Sequence, residues 1–318
     1  MSDLAFIFPG QGSQAVGMGR ELADAIPAAK AVFEEVDEAL GESLSDLIWN
    51  GPEAALTLTA NTQPALMAVS VAAMRALEAE HGIAVTAAKY VAGHSLGEYS
   101  ALCAAGAISL AETARLLRRR GEAMQDAVAE GEGAMAALLG ADMQQAEAAC
   151  AAGREAGGAC EIANDNAPGQ LVISGSKAAV EAACQQARGA GVKKAVPLAV
   201  SAPFHCSLMQ PAAEAMAEAL SQAEVKAPVV PVVANVTAEA VSDPEAIRKY
   251  LVDQVTGRVR WRESVTWMAA NGIARTGEAG AGKVLTVMNR RNVKVLEGHP
   301  LGTPDDLAAF AAAMAGTQ

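Results

Sequence analysis

Residues 89–106, KYVAGHSLGEYSALCAAG, decide how the chain is read. Residues 89–92 have the length and character of a short buried strand. They run directly into a Gly93-His94-Ser95-Leu96-Gly97 turn, and helical spacing follows as far as Gly106, a natural stop. Gly-x-Ser-x-Gly therefore falls between a strand and a helix, the context in which that pattern carries chemistry. The flanking glycines permit a tight turn that lifts a hydroxyl out of the sheet. The N–H groups after it and the positive end of the helix then face any developing oxyanion. An ordinary tight turn is the alternative, since the bare pattern recurs by chance.

Outward from this turn the same strand-then-helix rhythm continues. Residues 4–8 are an apolar run ended by Pro9-Gly10, a glycine-rich loop follows, and residues 21–40 have helical spacing. Thr62 and Pro64 read as an N-cap and an early-turn proline. Leu66, Val69, Ala73 and Leu77 form that helix's apolar face, and Gly82 stops it. A further helix covers 110–128. Strands that each feed a helix imply a parallel sheet with helices on both faces. The middle differs: strand 133–139, helix 143–152, strand 160–163, a turn at 166–169, strand 170–174, helix 177–190 and strand 194–200. This β-α-β-β-α-β order is that of a ferredoxin-like unit, inserted into the larger sheet domain. A loop through Pro203-Phe204-His205 then leads to a helix at 210–223 and a strand at 229–235.

Composition narrows the function classes. The 318 residues suffice for two domains or one domain with an insert, and 52% hydrophobic residues build a sizeable core. A net charge of −12 and only 3% aromatic residues argue against nucleic-acid binding, so an anionic ligand would need a local basic pocket. No stretch approaches the roughly 18 apolar residues of a membrane span, and the N-terminus lacks the basic start of a signal peptide. Cys103, Cys150, Cys160, Cys184 and Cys206 are odd in number and form no Cys-x-x-Cys pair. Reduced thiols in a cytoplasmic protein without a metal site are expected.

A serine hydroxyl needs a base, and four histidines are available. His94 adjoins Ser95 and suits a packed elbow residue. His81 closes a helix, and His299 lies in a Gly-His-Pro segment read as a solvated loop. His205 follows a strand and precedes a helix, at the sheet edge where α/β active sites form, and is the candidate base by elimination. Cys206 beside it has nothing nearby to lower its pKa and reads as inert. In residues 112–124, ETARLLRRRGEAM, the side chains of Arg115, Arg118, Arg119 and Glu122 share a solvated face while Arg120 falls on the apolar stripe. A guanidinium there needs an acid from the protein or from a ligand, or a place at the stripe's margin, and spacing leaves these open. Gly277-x-x-x-x-Gly282-Lys283 imitates a phosphate-binding loop, but Val284 stands where Ser or Thr is needed and no strong strand precedes it.

Taken together, FPGQGSQ, TANTQPAL, GHSLGEYSAL, RRRGEAMQ, NAPGQLVISG, APFHC, LVDQVTGRVRW and GAGKVL follow in an order that resembles the malonyl-CoA:acyl carrier protein transacylases of fatty-acid synthesis. The chain is similar also to the acyltransferase domains of polyketide synthases. The resemblance implies a hydrolase-like α/β domain (1–128 and 200–318) with a ferredoxin-like subdomain (129–199). It implies Ser95 as acylated nucleophile, His205 as base and Arg120 as a clamp on the malonyl carboxylate. Gln11 and the Leu96 N–H would form the oxyanion hole, Gln63 would line the pocket, and Gln254 would orient His205 through its backbone carbonyl. The CoA thioester is a substrate, and no cofactor or metal is implied. An acidic carrier protein would be the partner, with Lys193, Lys194, Arg258, Arg260 and Arg262 as candidate docking residues on a monomer. Thr276, Gly277 and Ala281 depart from the family pattern and put the strand there in question. Phe204-His205 is the pair that accompanies malonyl substrates among the polyketide relatives. A serine esterase, the malonyl-transfer subunit of a malonate decarboxylase and a nucleotide-binding module are the rival readings.

Overall fold

The computed structural model describes residues 2–316. Its strands are β1 (Leu4–Phe8), β2 (Tyr90–Gly93), β3 (Gly133–Leu139), β4 (Cys160–Ala167), β5 (Gln170–Ser176), β6 (Lys194–Pro197), β7 (Val232–Val233), β8 (Ala240–Val241), β9 (Arg275–Glu278) and β10 (Glu297–Pro300). A six-stranded sheet runs β10-β9-β1-β2-β7-β8, parallel except at β7–β8. Alternation along β1 divides the core. Leu4, Phe6 and Phe8 face the long helices Pro27–Leu40, Thr59–His81 and Leu110–Asp126, whereas Ala5 and Ile7 face Trp261–Ala270 and Val284–Asn292. Such two-sided burial suits a parallel sheet covered by helices on both faces. The second sheet, β4-β5-β3-β6, is antiparallel and carries the helices Met143–Glu155 and Lys177–Gly189. Its strand order is the ferredoxin-like one, so the fold is α/β with a parallel-sheet core and a small antiparallel sheet.

The second sheet is fastened at the edge of the first. Val259 bridges Asn164 by accepting from Asp165 N (2.9 Å) and donating to Ala163 O (2.8 Å), and the buried Asp165 carboxylate takes a forked hydrogen bond from Arg262 (2.6–3.0 Å). The site cavity therefore lies between two bodies that are held in register.

Several local expectations are corrected. Residues 21–40 form two helices, Arg20–Ala25 and Pro27–Leu40, because Ile26 precedes a proline and stays extended (φ −129°, ψ 111°). Thr62 is not an N-cap. The helix starts at Thr59, the Thr62 hydroxyl bonds back to Leu56 O, and Pro64 sits inside the helix. The Ala60 carbonyl that Pro64 cannot serve is taken instead by Arg118 Nη1 (2.7 Å), which removes Arg118 from the solvated face. The strand expected at 229–235 pairs only at Val232–Val233. Conversely, β9 forms despite Thr276 and Gly277: a Cβ on Gly277 would come within 2.9 Å of Phe6, so the packing against β1 requires its absence. His299 belongs to β10 and packs against Phe310 (centroids 5.5 Å), rather than lying in a solvated loop.

Residues 279–283 follow β9, a strand not expected from the sequence, and lead as a turn into the helix Val284–Asn292, whose start the buried Glu278 carboxylate occupies. It accepts from Leu285 N (2.9 Å) and Thr286 N (2.7 Å), the helix-start donors that a phosphate would need. Glu278→Ala is expected to lower stability by about 1–3 kcal/mol, the usual cost of orphaned buried donors, read from the urea midpoint. An unchanged midpoint would mean that these N–H groups find another acceptor.

Candidate active site

β2 ends at Gly93 and the helix Gly97–Ala104 begins four residues later, leaving Ser95 at φ 54°, a left-handed backbone rare for serine. The turn needs both glycines. A Cβ on Gly93 would fall 1.9 Å from the Gly97 carbonyl, and one on Gly97 would fall 2.3 Å from Phe8 O. Asn235, just beyond β7, braces the bend: its Nδ2 donates to Gly93 O (2.7 Å) and its Oδ1 accepts from Ser95 N (2.8 Å). With the Ser95 N–H so engaged, the Leu96 N–H is the next donor, and among the described residues no acceptor takes it.

His205 is buried and also has a positive φ of 57°. Its Nδ1 faces two carbonyls, Gln254 O (2.9 Å) and Gly257 O (3.1 Å), so Nδ1 carries the proton and donates. Nε2 is then a lone-pair acceptor 2.8 Å from Ser95 Oγ. Burial, and next the nearby Arg120 charge, push the His205 pKa down to about 3, so the imidazole is neutral and able to accept a proton.

Arg120 is only 1% exposed, yet it makes no ion pair among the described residues. Nη1 donates to Gln63 Oε1 (2.7 Å), and Nη2 donates to Gln254 Oε1 (2.9 Å) and Ser95 Oγ (3.3 Å). Its Cζ lies 5.7 Å from the centre of the Tyr99 ring. The guanidinium thus reaches neither water at the stripe's margin nor an acid of the chain in an ion pair. Gly121 makes this placement possible: a Cβ there would lie 2.6 Å from Ala60 Cα, so the two helices approach closely beside Gln63.

Ser95, His205, Arg120, Gln63, Gln11 and Leu96 line one cavity of about 320 Å³. Gln254 stands behind it. Gln11 Nε2 donates to Thr59 Oγ1 (3.4 Å), which in turn meets Ser201 Oγ (3.0 Å). Every residue singled out for the site is therefore at or against this cavity. Sequence reasoning missed Asn235 and Glu98. Glu98 is buried and accepts from Asn235 N and Gln254 Nε2, and burial raises its pKa to about 7. The available signal was an acid placed one residue past the second glycine, in an otherwise apolar helix. Cys206 is buried, with its thiol pKa pushed up to about 11 by burial, in keeping with an inert thiol. Of the candidate docking cations, Arg258, Arg260 and Arg262 pair with Glu147, Glu263 and Asp165, whereas Lys193 and Lys194 are exposed.

The two shifted groups respond oppositely to pH. The unfolded chain takes up a proton on His205 near pH 6.5 that the folded chain refuses, so this contribution to stability falls as pH drops from 6.5 towards 3. Glu98 holds its proton longer when folded, so its contribution is complete below 4.5 and is lost as pH rises to about 7. An NMR titration of the His205 ring is expected to show a neutral imidazole through the ordinary range, and a midpoint near 6.5 would contradict this electrostatic account.

Comparison with known proteins agrees with this geometry. A family model described as "Acyl transferase domain" matches residues 5–298. A malonyl CoA-acyl carrier protein transacylase of Bacillus subtilis is 44% identical over 307 residues, covering 96% of each chain. The crystal structure of an acyl-carrier-protein S-malonyltransferase from Bartonella henselae has a TM-score of 0.96 at 55% identity, covering 99% of this chain and 100% of that one. A malonyl-transacylase solved in complex with a type II polyketide acyl carrier protein gives 0.93 at 42% identity, covering 98% and 100%. The chain belongs to the acyl transferase family and, within it, to the malonyl CoA-acyl carrier protein transacylases.

Proposed function

We propose that the chain moves a malonyl group from CoA to the phosphopantetheine thiol of an acyl carrier protein through an ester on Ser95, as a step of fatty-acid synthesis. The observation that carries this reading is the buried Arg120, charged, partnered only by neutral groups, and 3.3 Å from the Ser95 hydroxyl. A malonyl thioester brings the missing anion at the end remote from its reacting carbonyl. A guanidinium fork grips such a carboxylate at two points, which a lysine does not.

In the proposed chemistry His205 Nε2 takes the Ser95 proton as Oγ attacks the thioester carbonyl. The oxyanion is received by the Leu96 N–H and by Gln11, both at the cavity wall. Collapse breaks the carbon–sulfur bond, and the imidazolium returns its proton to the CoA thiolate. The carrier thiol then enters, gives its proton to His205 and takes the malonyl group, regenerating the serine hydroxyl. The malonyl carboxylate offsets the Arg120 charge that depresses His205, so substrate itself raises the basicity of the group that must accept the proton. Thioester and ester stand at one oxidation level, so no redox cofactor enters this scheme.

Two further features support the reading over its rivals. The His205 partners are backbone carbonyls, where a serine esterase would ordinarily supply a carboxylate. Glu278 fills the helix start that a nucleotide would need. For the acidic carrier, the exposed Lys193 and Lys194, at the start of the strand that leads to the cavity segment 198–200, are the candidate contacts. Nucleophile, base, cation and amides already meet at one cavity of this chain, so the proposed chemistry asks for no second copy and a monomer is the proposed working form; the five buried thiols, free of disulfides, suit a reducing cytoplasm. No helix among the described residues is long and apolar enough to cross a membrane.

Mixed with malonyl-CoA, the intact protein is expected to gain a single malonyl group, and Ser95→Ala none. Arg120→Ala is expected to slow malonyl loading by roughly 10²–10⁴-fold, from two lost charge-assisted bonds of about 1.5–3 kcal/mol each, with little loss for acetyl-CoA. Equal losses for both acyl groups would remove the clamp.

A further inference from the structure

We propose that Glu98 is a positioning residue whose buried side chain sets which way the Gln254 amide faces, and thereby aims Arg120 at the acyl pocket beside Ser95. The proposal rests on reading Arg120 as the malonyl clamp and goes beyond it by naming what aims the clamp. Glu98 is 2% exposed, touches neither the cavity wall nor the serine hydroxyl, and has one oxygen doing two tasks. Its Oε2 accepts from Gln254 Nε2 (2.8 Å) and from Asn235 N (2.9 Å).

A glutamine amide is nearly symmetric in shape but not in hydrogen bonding, so its orientation is set by its neighbours. Here Nε2 has three acceptors, Glu98 Oε2, Ser95 O (3.2 Å) and, at the longest distance, Asn235 Oδ1 (3.5 Å). Oε1 is consequently turned the other way, where it accepts from Arg120 Nη2 (2.9 Å). Reversal would set N–H groups against the guanidinium, which has only donors, and a carbonyl oxygen against the Glu98 and Ser95 oxygens. Without an acceptor at position 98 the amide loses its strongest anchor and the guanidinium loses its aim. The same Glu98 oxygen fixes the Asn235 backbone, whose side chain braces Gly93 and Ser95. Meanwhile the Gln254 backbone carbonyl holds His205. One carboxyl group outside the pocket thus stands behind the serine bend and the arginine.

The test compares Ser95 loading from malonyl-CoA and from acetyl-CoA in Glu98→Gln, Glu98→Met, Gln254→Met and Arg120→Ala, with thermal unfolding followed alongside. Glu98→Met, similar in volume but without an acceptor, is expected to lower the malonyl-to-acetyl ratio by about 100-fold, as a misplaced binding group does. Glu98→Gln keeps an acceptor oxygen and is expected to restore the ratio to near the parent value. Gln254→Met keeps the carbonyl on His205 and is expected to repeat the loss, which decides the matter if Glu98→Met does not fold. Equal slowing of both acyl groups in the methionine variants, or a Glu98→Gln no better than Glu98→Met, would overturn the proposal. A collapsed ratio in Arg120→Ala with an intact ratio in folded Glu98→Met would overturn the positioning role alone. An unchanged ratio in Arg120→Ala would overturn the clamp and the positioning role together.

Discussion

A positive charge enclosed among amides and a hydroxyl is the constraint around which the rest is arranged. Removing a guanidinium from water is costly, and dipoles offset that cost less fully than an anion does. The chain supplies Gln63 and Gln254 as acceptors and the Tyr99 ring as a polarizable wall, but no ion-pairing carboxylate among the described residues. The cavity thereby favours a ligand that carries its own negative charge. The same charge disfavours a second one nearby, which helps keep the His205 imidazole neutral. Substrate preference and the state of the base therefore share one electrostatic origin.

The second constraint is geometric. A serine at φ 54° costs about 1–3 kcal/mol and persists only where its surroundings over-determine it. Phe8, Gly93 and Gly97 are packed so closely that no side chain fits between them, and Asn235 spans the bend with both ends of its amide. The antiparallel sheet, tied through Asp165 and Arg262, lends Met135 and Asn164 to the cavity wall, and the segment that leaves it meets Thr59 through Ser201. A turn designed in this way needs its neighbours to be rigid, and both sheets contribute.

What the sequence made legible follows the same division. The Ser95 bend announced itself through local spacing, since both glycines and the flanking strand and helix lie within about a dozen residues. Arg120 was visible as a charge on an apolar stripe, but its partner was not, because Gln63 and Gln254 lie 57 and 134 positions away. Their parts, with that of Gln11, came only from family resemblance. Glu98 and Asn235 escaped notice because a glutamate early in a helix and an asparagine after a strand ordinarily face water. Their importance arises from burial and from contacts across 137 positions. The local errors have the same cause. Pro64 sits inside a helix because Arg118, from another helix, serves the carbonyl left vacant, and Gly277 suits a strand because Phe6 occupies the space of a side chain.

Two helix starts in this protein show how the chain distinguishes a site from a mere feature of secondary structure. Both follow a parallel strand, and both begin near glycines. At the helix Val284–Asn292, Glu278 occupies the first free N–H groups, and the positive end is spent within the fold. At the helix Gly97–Ala104, Gly97 N, Glu98 N and Tyr99 N close back on His94, Ser95 and Leu96 carbonyls, and Asn235 takes Ser95 N. That leaves the Leu96 N–H, at the cavity wall beside the serine hydroxyl. The difference is not one of helix dipole, which both possess, but of which donors the protein has left unmet. An unmet backbone donor beside a serine, with a neutral imidazole and a buried cation on its other sides, is an arrangement suited to charge that appears only during reaction.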